Sequence, residues 1–264
     1  MDTGTPKIIA KKGGGIGWLI FNQPEKHNAM SFAMWQAIPK VMADFEADPA
    51  VRVIVFTGAG ERAFVSGADI SEFEEKRDRL ETVKIYDQAS EAANKAMIGA
   101  TKPTIAMIRG YCIGGGLAIA LTTDIRIAAE GSTFAVPAAK LGLGYGYAGI
   151  RRLADVVGPS FAKEIFYTAR QFSTEEAKTM GLVNRVLPVG ELHAYVEKYC
   201  SIIAGNAPMT IKAAKMAINA AVTDEGVRDS AGVKAAVEAC FASEDYKEGR
   251  RAFMEKRKPQ FKGK

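Results

Sequence analysis

The sequence predicts an α/β core of repeated strand–helix units, followed by a helical C-terminal region. Short apolar runs alternate with amphipathic segments in the N-terminal half, which favours parallel strands joined by helical crossovers. From Glu191 onward a helical periodicity dominates. The chain of 264 residues is long enough for one large domain or for a domain with an appendage. We place a soft boundary at residue 190, between a core of residues 1–190 and a helical region of residues 191–264.

Four apolar runs in the N-terminal half are predicted to form strands, and two amphipathic stretches between them are predicted to form helices. The predicted strands are Trp18–Phe21, Val51–Phe56, Thr104–Ile108 and Asp124–Ala128. The predicted helices run from Ser31, which stands as an N-cap, to Ala47, and from Leu80 to Ile98. Gly13–Gly15 precedes the first predicted strand and is interpreted as a hairpin or a flexible turn.

The second half is predicted to be mainly helical, with one short strand. The predicted helices are Leu153–Val157, Ser160–Ala169, Thr174–Met180, Leu192–Ala204, Pro208–Val222 and Val233–Phe241. The strand candidate is Val183–Leu187.

Composition and charge narrow the functional classes. The net charge of +5 fits an acidic partner, either nucleic acid or a phosphate-bearing small molecule, and it also fits an ordinary solubility charge. No apolar run reaches the ~18 residues that a membrane span needs. Three cysteines without a CxxC motif indicate a reducing compartment, and the cytoplasm is the expected location. We see no cluster of residues suited to bind a metal.

Two loops are the candidates for chemistry. The first spans Ala63–Ser71, and the second spans Gly110–Gly116. Each places small residues after a predicted strand, where parallel sheets commonly bind ligands. Glycines allow close approach of the backbone, and a helix N-terminus leaves N–H groups without internal partners. Two such N–H groups that converge would form an oxyanion hole, although a triple glycine by itself is more often a tight turn.

Other motifs are weaker. Gly144–Gly149 matches the letters of a GxGxxG dinucleotide motif, but the segment before it is a poor strand. Ser66 has no Gly-x-Ser-x-Gly setting, which argues against an α/β-hydrolase triad.

Together these segments resemble the crotonase (enoyl-CoA hydratase/isomerase) superfamily across nearly the whole chain. The matching stretches are Pro24–Met30, Ser66–Ile70, Lys102–Ala106, Gly110–Gly116, Asp124, Glu176–Ala177, Met180–Asn184, and Glu248–Gly249 with Phe253, Lys256 and Arg257. The resemblance implies a crotonase-like spiral of repeated β-β-α units. It also implies that residues 191–264 form a trimerisation region of a homotrimer or of a hexamer made from two trimers.

The resemblance implies an acyl-CoA substrate and assigns site residues. The oxyanion-hole donors would be the N–H groups of Ala68 and Gly115. Coenzyme A would lie near residues of the stretch Pro24–Met30, of the first loop and of the C-terminal region: Lys26, Asn28, Ala29, Ala63, Ala68, Asp69, Ile70, Phe253 and Lys256. For Lys26 and Lys256, plain surface charge is an equal alternative, and Asp69 is also expected to brace its loop. No cofactor beyond the coenzyme A moiety of the substrate is expected.

The chain departs from the superfamily at two catalytic positions. Hydratases that it resembles carry two glutamates, and here the corresponding residues are Ala118 and Ala138. General acid–base groups contribute ~10²–10⁴-fold in rate, so efficient hydration is not expected. The segment Leu141–Ile150 is similar to methylmalonyl-CoA decarboxylases, in which a tyrosine at the place of Tyr145 orients a carboxylate. That family has a histidine where Ala68 stands here.

Three functions remain open at this point. The first is an enzyme that stabilises a thioester enolate, with decarboxylation of a malonyl-type thioester as a lead. The second is a non-catalytic protein that binds acyl-CoA. The third, ranked last, is an RNA-binding protein that uses the basic C-terminal cluster.

Overall fold

A computed structural model describes residues 1–69, 72 and 80–264, which contain nine strands. In chain order they are β1 Ile8–Gly13, β2 Ile16–Phe21, β3 Val53–Gly58, β4 Ala63–Val65, β5 Thr104–Ile108, β6 Tyr111–Ile113, β7 Ile125–Ala129, β8 Thr133–Ala135 and β9 Arg185–Leu187. They form a six-stranded sheet with the order β1-β2-β3-β5-β7-β9 and a three-stranded sheet with the order β4-β6-β8. Only the β1–β2 pair of these sheets is antiparallel.

The two sheets arise from a repeated unit of two strands. Each of the pairs β3–β4, β5–β6 and β7–β8 gives its first strand to the large sheet and its second to the small sheet. A helix follows each pair and leads the chain to the next unit. The predicted β-β-α spiral and its parallel strands are therefore confirmed.

Nine helices of the described residues accompany these strands. They are α1 Phe32–Ala47, α2 Leu80–Ile98, α3 Gly115–Ala120, α4 Tyr147–Thr168, α5 Thr174–Thr179, α6 Leu192–Ala204, α7 Pro208–Ala221, α8 Ser230–Ala242 and α9 Glu244–Met254. The bounds of α2 and α6 are those predicted from the periodicity. Inside α4, Gly158 has a non-helical φ of 77° and ψ of 161°, which explains why the sequence predicts two separate helices there.

Several elements differ from the sequence prediction. Strand β1 precedes the predicted first strand, so Gly14 and Gly15 form the turn of a hairpin. Strands β4, β6 and β8, of three residues each, are not predicted, whereas β9 is equally short and lies within the predicted strand Val183–Leu187. Helix α9 was also not predicted. Ser31 is the N-cap residue of α1, but its hydroxyl makes no cap bond, and Glu72 accepts the Phe32 N–H at 2.7 Å instead.

The large sheet is buried on both faces. Along β3, Ile54 and Phe56 belong to one core cluster, and Val53 and Val55 belong to another, as the two-residue period of a strand requires. The first cluster contains residues of α1, and the second contains Leu192 and neighbours from α6. Helix α6 thus packs on the sheet, although it begins the predicted C-terminal region; the division at residue 190 stays a prediction.

Helices α7 and α8 bury little of their own surface. Ala213 is the buried residue of α7, and α8 has none. Across the described ranges, no helix combines the length and the apolar character of a membrane span. Cys112 and Cys200 are buried free thiols, and Cys240 is a half-buried free thiol.

Candidate active site

The two candidate loops lie side by side because their strands are paired. Ala63 is opposite Tyr111 and Val65 is opposite Cys112 in the parallel β4–β6 pair. The loop after β4 therefore meets the turn after β6. A Cβ placed on Gly115 would lie 3.9 Å from the nitrogen of Ala68 and 3.8 Å from the carbonyl carbon of Gly67. The structure thus brings together the two residues that the resemblance assigns as donors.

Glycines of the second turn make this approach possible. Gly114 has a φ of 54° and ψ of −113°, a conformation that side chains disfavour. A Cβ on Gly116 would overlap the carbonyl oxygen of Val65. Because α3 begins at Gly115, this close contact sets the start of the helix directly against the end of β4.

The N–H of Ala68 points away from the neighbouring chain segment. Met30 forms an isolated parallel bridge with Ala68, in which the Met30 N–H donates to the Gly67 oxygen at 2.8 Å and the Asp69 N–H donates to the Met30 oxygen at 2.9 Å. Successive peptide groups of an extended segment face opposite sides, so the Ala68 N–H faces away from Met30. Within the described residues, no acceptor bonds to the N–H of Ala68 or Gly115.

A charged cluster lies behind this segment. Asp69, with only 5% of its surface exposed, accepts a hydrogen bond from Lys26 Nζ at 2.9 Å and another from Gln23 Nε2 at 3.1 Å. The Lys26 side chain is 46% exposed. Lys26 and Asp69, both predicted as coenzyme contacts, therefore contact one another.

The side chain of Asn28 is committed to the protein interior. It is completely buried, accepts the Gln23 N–H at 2.9 Å, and donates to the oxygens of Ala59 and Ala63 at 2.9 and 2.8 Å. Ala29 and Ala63 are also buried. A coenzyme contact at Asn28 would therefore have to use its main chain. Ile70 and Ser71 lie outside the described residues.

Comparisons with known proteins agree with this arrangement. The sequence pattern of the enoyl-CoA hydratase/isomerase family matches residues 11–264. The chain belongs to this family. It is 35% identical to a short-chain-enoyl-CoA hydratase of Clostridium acetobutylicum, over 95% of both chains. It is 34% identical to a crotonyl-CoA hydratase of Syntrophomonas wolfei, over 96% of this chain and 97% of the relative.

A solved structure has the same fold as this family member. The crystal structure of an enoyl-CoA hydratase/carnithine racemase from Magnetospirillum magneticum superposes with a TM-score of 0.91 and 32% identity. The match covers 98% of this chain and 97% of that one. The α/β fold with its crotonase-like spiral is therefore shown by relatives as well as by the topology.

Two alanines occupy the positions where the family resemblance places glutamates. Ala118 lies in α3 and is half-buried, whereas Ala138 is buried in the main core cluster. The N–H of Ala118 donates to the Gly114 oxygen at 3.0 Å. Neither side chain can donate or accept a proton, so these two positions supply no acid or base.

Tyr145 lies in the segment that follows the small sheet. This segment comes after Pro137. The Pro137 ring lies beside Gly114 of the second loop, since a Cβ on Gly114 would be 3.8 Å from its Cδ atom. The Tyr145 ring makes an edge-on contact with Phe166 at 5.2 Å between centroids and packs against the main core cluster. Burial raises the pKa of the Tyr145 phenol above its ordinary value, so the hydroxyl keeps its proton at neutral pH.

The C-terminal pair is not close to the two loops of the same chain. Phe253 is 83% exposed and lines a groove together with Phe261. The Phe261 oxygen accepts a bond from Arg52 at 3.2 Å, next to the start of β3, whereas Gly58 at the other end of β3 meets Ala63. A six-residue strand spans about 20 Å. Phe253 therefore lies toward the end of β3 that is opposite to the two loops.

Sequence reasoning assigns no role to two residues that shape the site. Gln23 binds both Asn28 and Asp69, and Met30 holds the peptide groups on either side of Ala68. The stretch Pro24–Met30 had been singled out by the resemblance, and Met30 lies within it. Gln23 carried no signal, because its partner Asp69 is 46 positions away.

Proposed function

We propose that this protein is an enzyme that acts on an acyl-CoA and holds the charge of the thioester enolate on the N–H groups of Ala68 and Gly115. One observation carries the proposal: the two loops lie so close that a Cβ on Gly115 would be in van der Waals contact with Gly67 and Ala68, and neither N–H has an acceptor among the described residues. A single oxyanion-hole donor contributes ~10²–10³ in rate. Such a pair would therefore support a reaction in which no side chain acts as the base.

Loss of carbon dioxide from a malonyl-type thioester is the reaction that suits these residues. The bond between the α-carbon and the carboxylate breaks, and its electron pair forms the enolate while carbon dioxide leaves. The negative charge then lies on the thioester oxygen, between the two N–H groups. A proton from water adds to the α-carbon and yields the shortened acyl-CoA. No base is required, in keeping with Ala118 and Ala138.

We assign Tyr145 to orient the departing carboxylate. Its hydroxyl keeps its proton because burial raises its pKa, so it can donate a hydrogen bond to a carboxylate oxygen. The support is the half-buried position of Tyr145 in the segment after Pro137. The similarity of Leu141–Ile150 to decarboxylases of this superfamily points in the same direction.

A panel of thioesters tests the reaction. The purified protein is incubated with malonyl-, methylmalonyl- and crotonyl-CoA, and each mixture is followed by mass spectrometry. We expect the malonyl-type substrates to lose the mass of carbon dioxide and crotonyl-CoA to gain water slowly. Rapid hydration of crotonyl-CoA without decarboxylation would contradict the proposal.

The missing acids provide a second test. Ala118→Glu, alone and combined with Ala138→Glu, is expected to raise the hydration rate of crotonyl-CoA, within the ~10²–10⁴-fold range of general acid–base groups. Ala118 is half-buried and should accept the longer side chain more readily than buried Ala138. Folded variants with no gain in hydration would show that more than these two side chains separates this chain from a hydratase.

A non-catalytic acyl-CoA-binding protein is the second candidate. The alanines at positions 118 and 138 supply no acid or base, whereas the two loops keep N–H groups that can bind a thioester oxygen. Binding of coenzyme A thioesters together with no turnover of the whole panel would favour this function over an enzyme.

We also propose that the chain assembles as a homotrimer or a pair of trimers. Helices α7 and α8 bury almost none of their residues within one chain. In such an assembly, Phe253 and Lys256 of one copy would reach the coenzyme A bound by another, while Ala29, Ala63 and the main chain of Asn28 would line the coenzyme in the first copy.

A further inference from the structure

We propose that Lys26 and Asp69 are positioning residues that aim the Ala68 N–H, and that Lys26 acts through Asp69 rather than by binding the coenzyme. This inference rests on the proposed function, because it needs an oxyanion at Ala68. It assigns a role in the chemical step to two side chains that do not touch the reacting atoms.

The direction of the Ala68 N–H depends on how its neighbours are held. The bridge to Met30 fixes the peptide groups on both sides of Ala68, with hydrogen bonds of 2.8 and 2.9 Å. Two residues before Ala68, the Ser66 N–H donates to the His27 oxygen at 3.2 Å. Residues 66–69 are thus hydrogen-bonded along one side to residues 27–30. Asp69 is the last described residue of this segment before position 72.

The side chain of Asp69 adds to these backbone hydrogen bonds. Its buried carboxylate accepts from Gln23 and from Lys26, and both partners belong to the same turn that carries Asn28 and Met30. The carboxylate therefore ties the end of the segment to the turn beneath it. A carboxylate buried to this degree is costly unless it is paired, so the Lys26 ammonium makes this placement of Asp69 favourable.

The charge state of Lys26 agrees with this role. The hydrogen bond to Asp69 raises the pKa of the Lys26 ammonium, which keeps it charged at neutral pH. Almost half of the side chain is exposed, so that the coenzyme could also reach it. The test therefore compares substrates with and without the nucleotide, so that a positioning role and phosphate binding give different results.

Replacement of Lys26 by Met keeps the aliphatic stem and removes the charge. We expect kcat to fall by about tenfold, which is less than the ~10²–10³-fold loss that removal of a whole oxyanion-hole donor causes. We expect KM to change by less than about twofold. The loss should be equal for malonyl-CoA and for malonyl-N-acetylcysteamine, which lacks the nucleotide. Lys26→Arg should restore most of kcat, because a guanidinium can also pair with Asp69.

A spectroscopic measurement reads the donors without turnover. Acetyl-CoA labelled with ¹³C at the carbonyl is bound to the protein, and isotope-edited infrared difference spectra give the thioester C=O stretch. A strong N–H pair lowers this frequency. We expect a clear red shift with the unsubstituted protein, a smaller one with Lys26→Met, and recovery with Lys26→Arg.

A matched control is available at Lys12. Its ammonium also pairs with carboxylates, Asp44 and Asp48, and its side chain is 32% exposed. Lys12→Met should leave kcat, KM and the red shift unchanged. If Lys26→Met does not fold, Asp69→Asn replaces it, because this substitution removes the charge and keeps the shape of the side chain. It should lower kcat and reduce the red shift in the same way.

The outcomes separate the two levels of inference. If Lys26→Met raises KM for the coenzyme A thioester alone and leaves the red shift intact, Lys26 is a coenzyme ligand and the positioning role is wrong. If the unsubstituted protein produces no red shift with bound acetyl-CoA, the oxyanion hole itself is absent and the proposed function fails with it.

Discussion

Gly115 and Gly116 are neighbours in one turn, yet they face different constraints. A Cβ on Gly115 would make ordinary contacts of 3.8–3.9 Å with Gly67 and Ala68, whereas one on Gly116 would overlap the backbone of Val65. We expect Gly116→Ala to lower the free energy of unfolding by at least the ~1–3 kcal/mol of an overpacked site. Gly115→Ala should remain as stable as the parent protein but lose activity, because its methyl group stands beside the Ala68 N–H.

Urea denaturation and thioester turnover check this pair together. Gly190→Ala serves as the control, since a Cβ there meets no atom within 4 Å. Full activity of Gly115→Ala would mean that the space beside Ala68 is not where the substrate oxygen binds. Normal stability of Gly116→Ala would show that β4 and α3 can separate at little cost.

At this scale the sequence predicts which loops matter but not how they are held. Ala68 and Gly115 stand in motifs of small residues after strands, and such motifs are visible in a sequence. A brace at Asp69 was also expected. Its partners Gln23 and Lys26 could not be found, because a contact over 46 or 43 positions leaves no periodic pattern.

Among the elements, the length and the apolar pattern of a helix together determine how well the sequence predicts it. Helices α2 and α6 have 19 and 13 residues, enough turns for an apolar stripe to define their bounds. Strands β4, β6 and β8 are not predicted, because three residues contain only one and a half periods of a strand, although β9 has the same length and lies within the predicted strand Val183–Leu187. Helix α9, Glu244–Met254, is mostly polar, and its position is set by contacts with the C-terminal tail.

The contacts between α9 and the C-terminal tail that follows it make the stability of this region depend on pH. Glu248 accepts two hydrogen bonds from Arg257, at 2.7 and 3.0 Å, and one from the Gln260 N–H at 2.9 Å. The Arg257 bonds, followed by that of Gln260, lower the pKa of Glu248 from 4.5 to about 2. A lowered pKa in the folded state gives stability above pH 4.5 that is lost as the pH falls toward 2.

We therefore expect Glu248→Gln to unfold at a lower urea concentration than the parent at pH 6, with the difference shrinking between pH 4.5 and pH 2.5. Urea titrations at four pH values measure it. Glu238→Gln is a suitable control, because its partner Lys234 is 3.9 Å away and both side chains are largely exposed. A difference that stays constant over this range would mean that the Arg257 pair does not hold the tail.

On the scale of the whole molecule, a single chain leaves several large apolar side chains of its C-terminal helices exposed. Ile218 of α7 and Val222, directly after α7, are 66% and 57% exposed, and Phe241 of α8 is 63% exposed. Ile218 and Val222 line a cleft of about 860 Å³ between α7, the end of α3 and the first half of α4. Clustered apolar side chains of this kind mark surfaces that another protein covers.

We expect sedimentation velocity at micromolar concentration to give three or six times the mass of one chain, because other copies would cover the exposed apolar side chains of these helices. Ile218→Asp should shift the protein toward smaller species, since a desolvated carboxylate opposes burial of the interface. Val189→Asp, at an exposed apolar residue before α6, should sediment as the parent does. If the unsubstituted protein sediments as one chain and still turns over acyl-CoA, then the site is complete within a single copy, and Phe253 and Lys256 cannot be coenzyme contacts supplied by a partner.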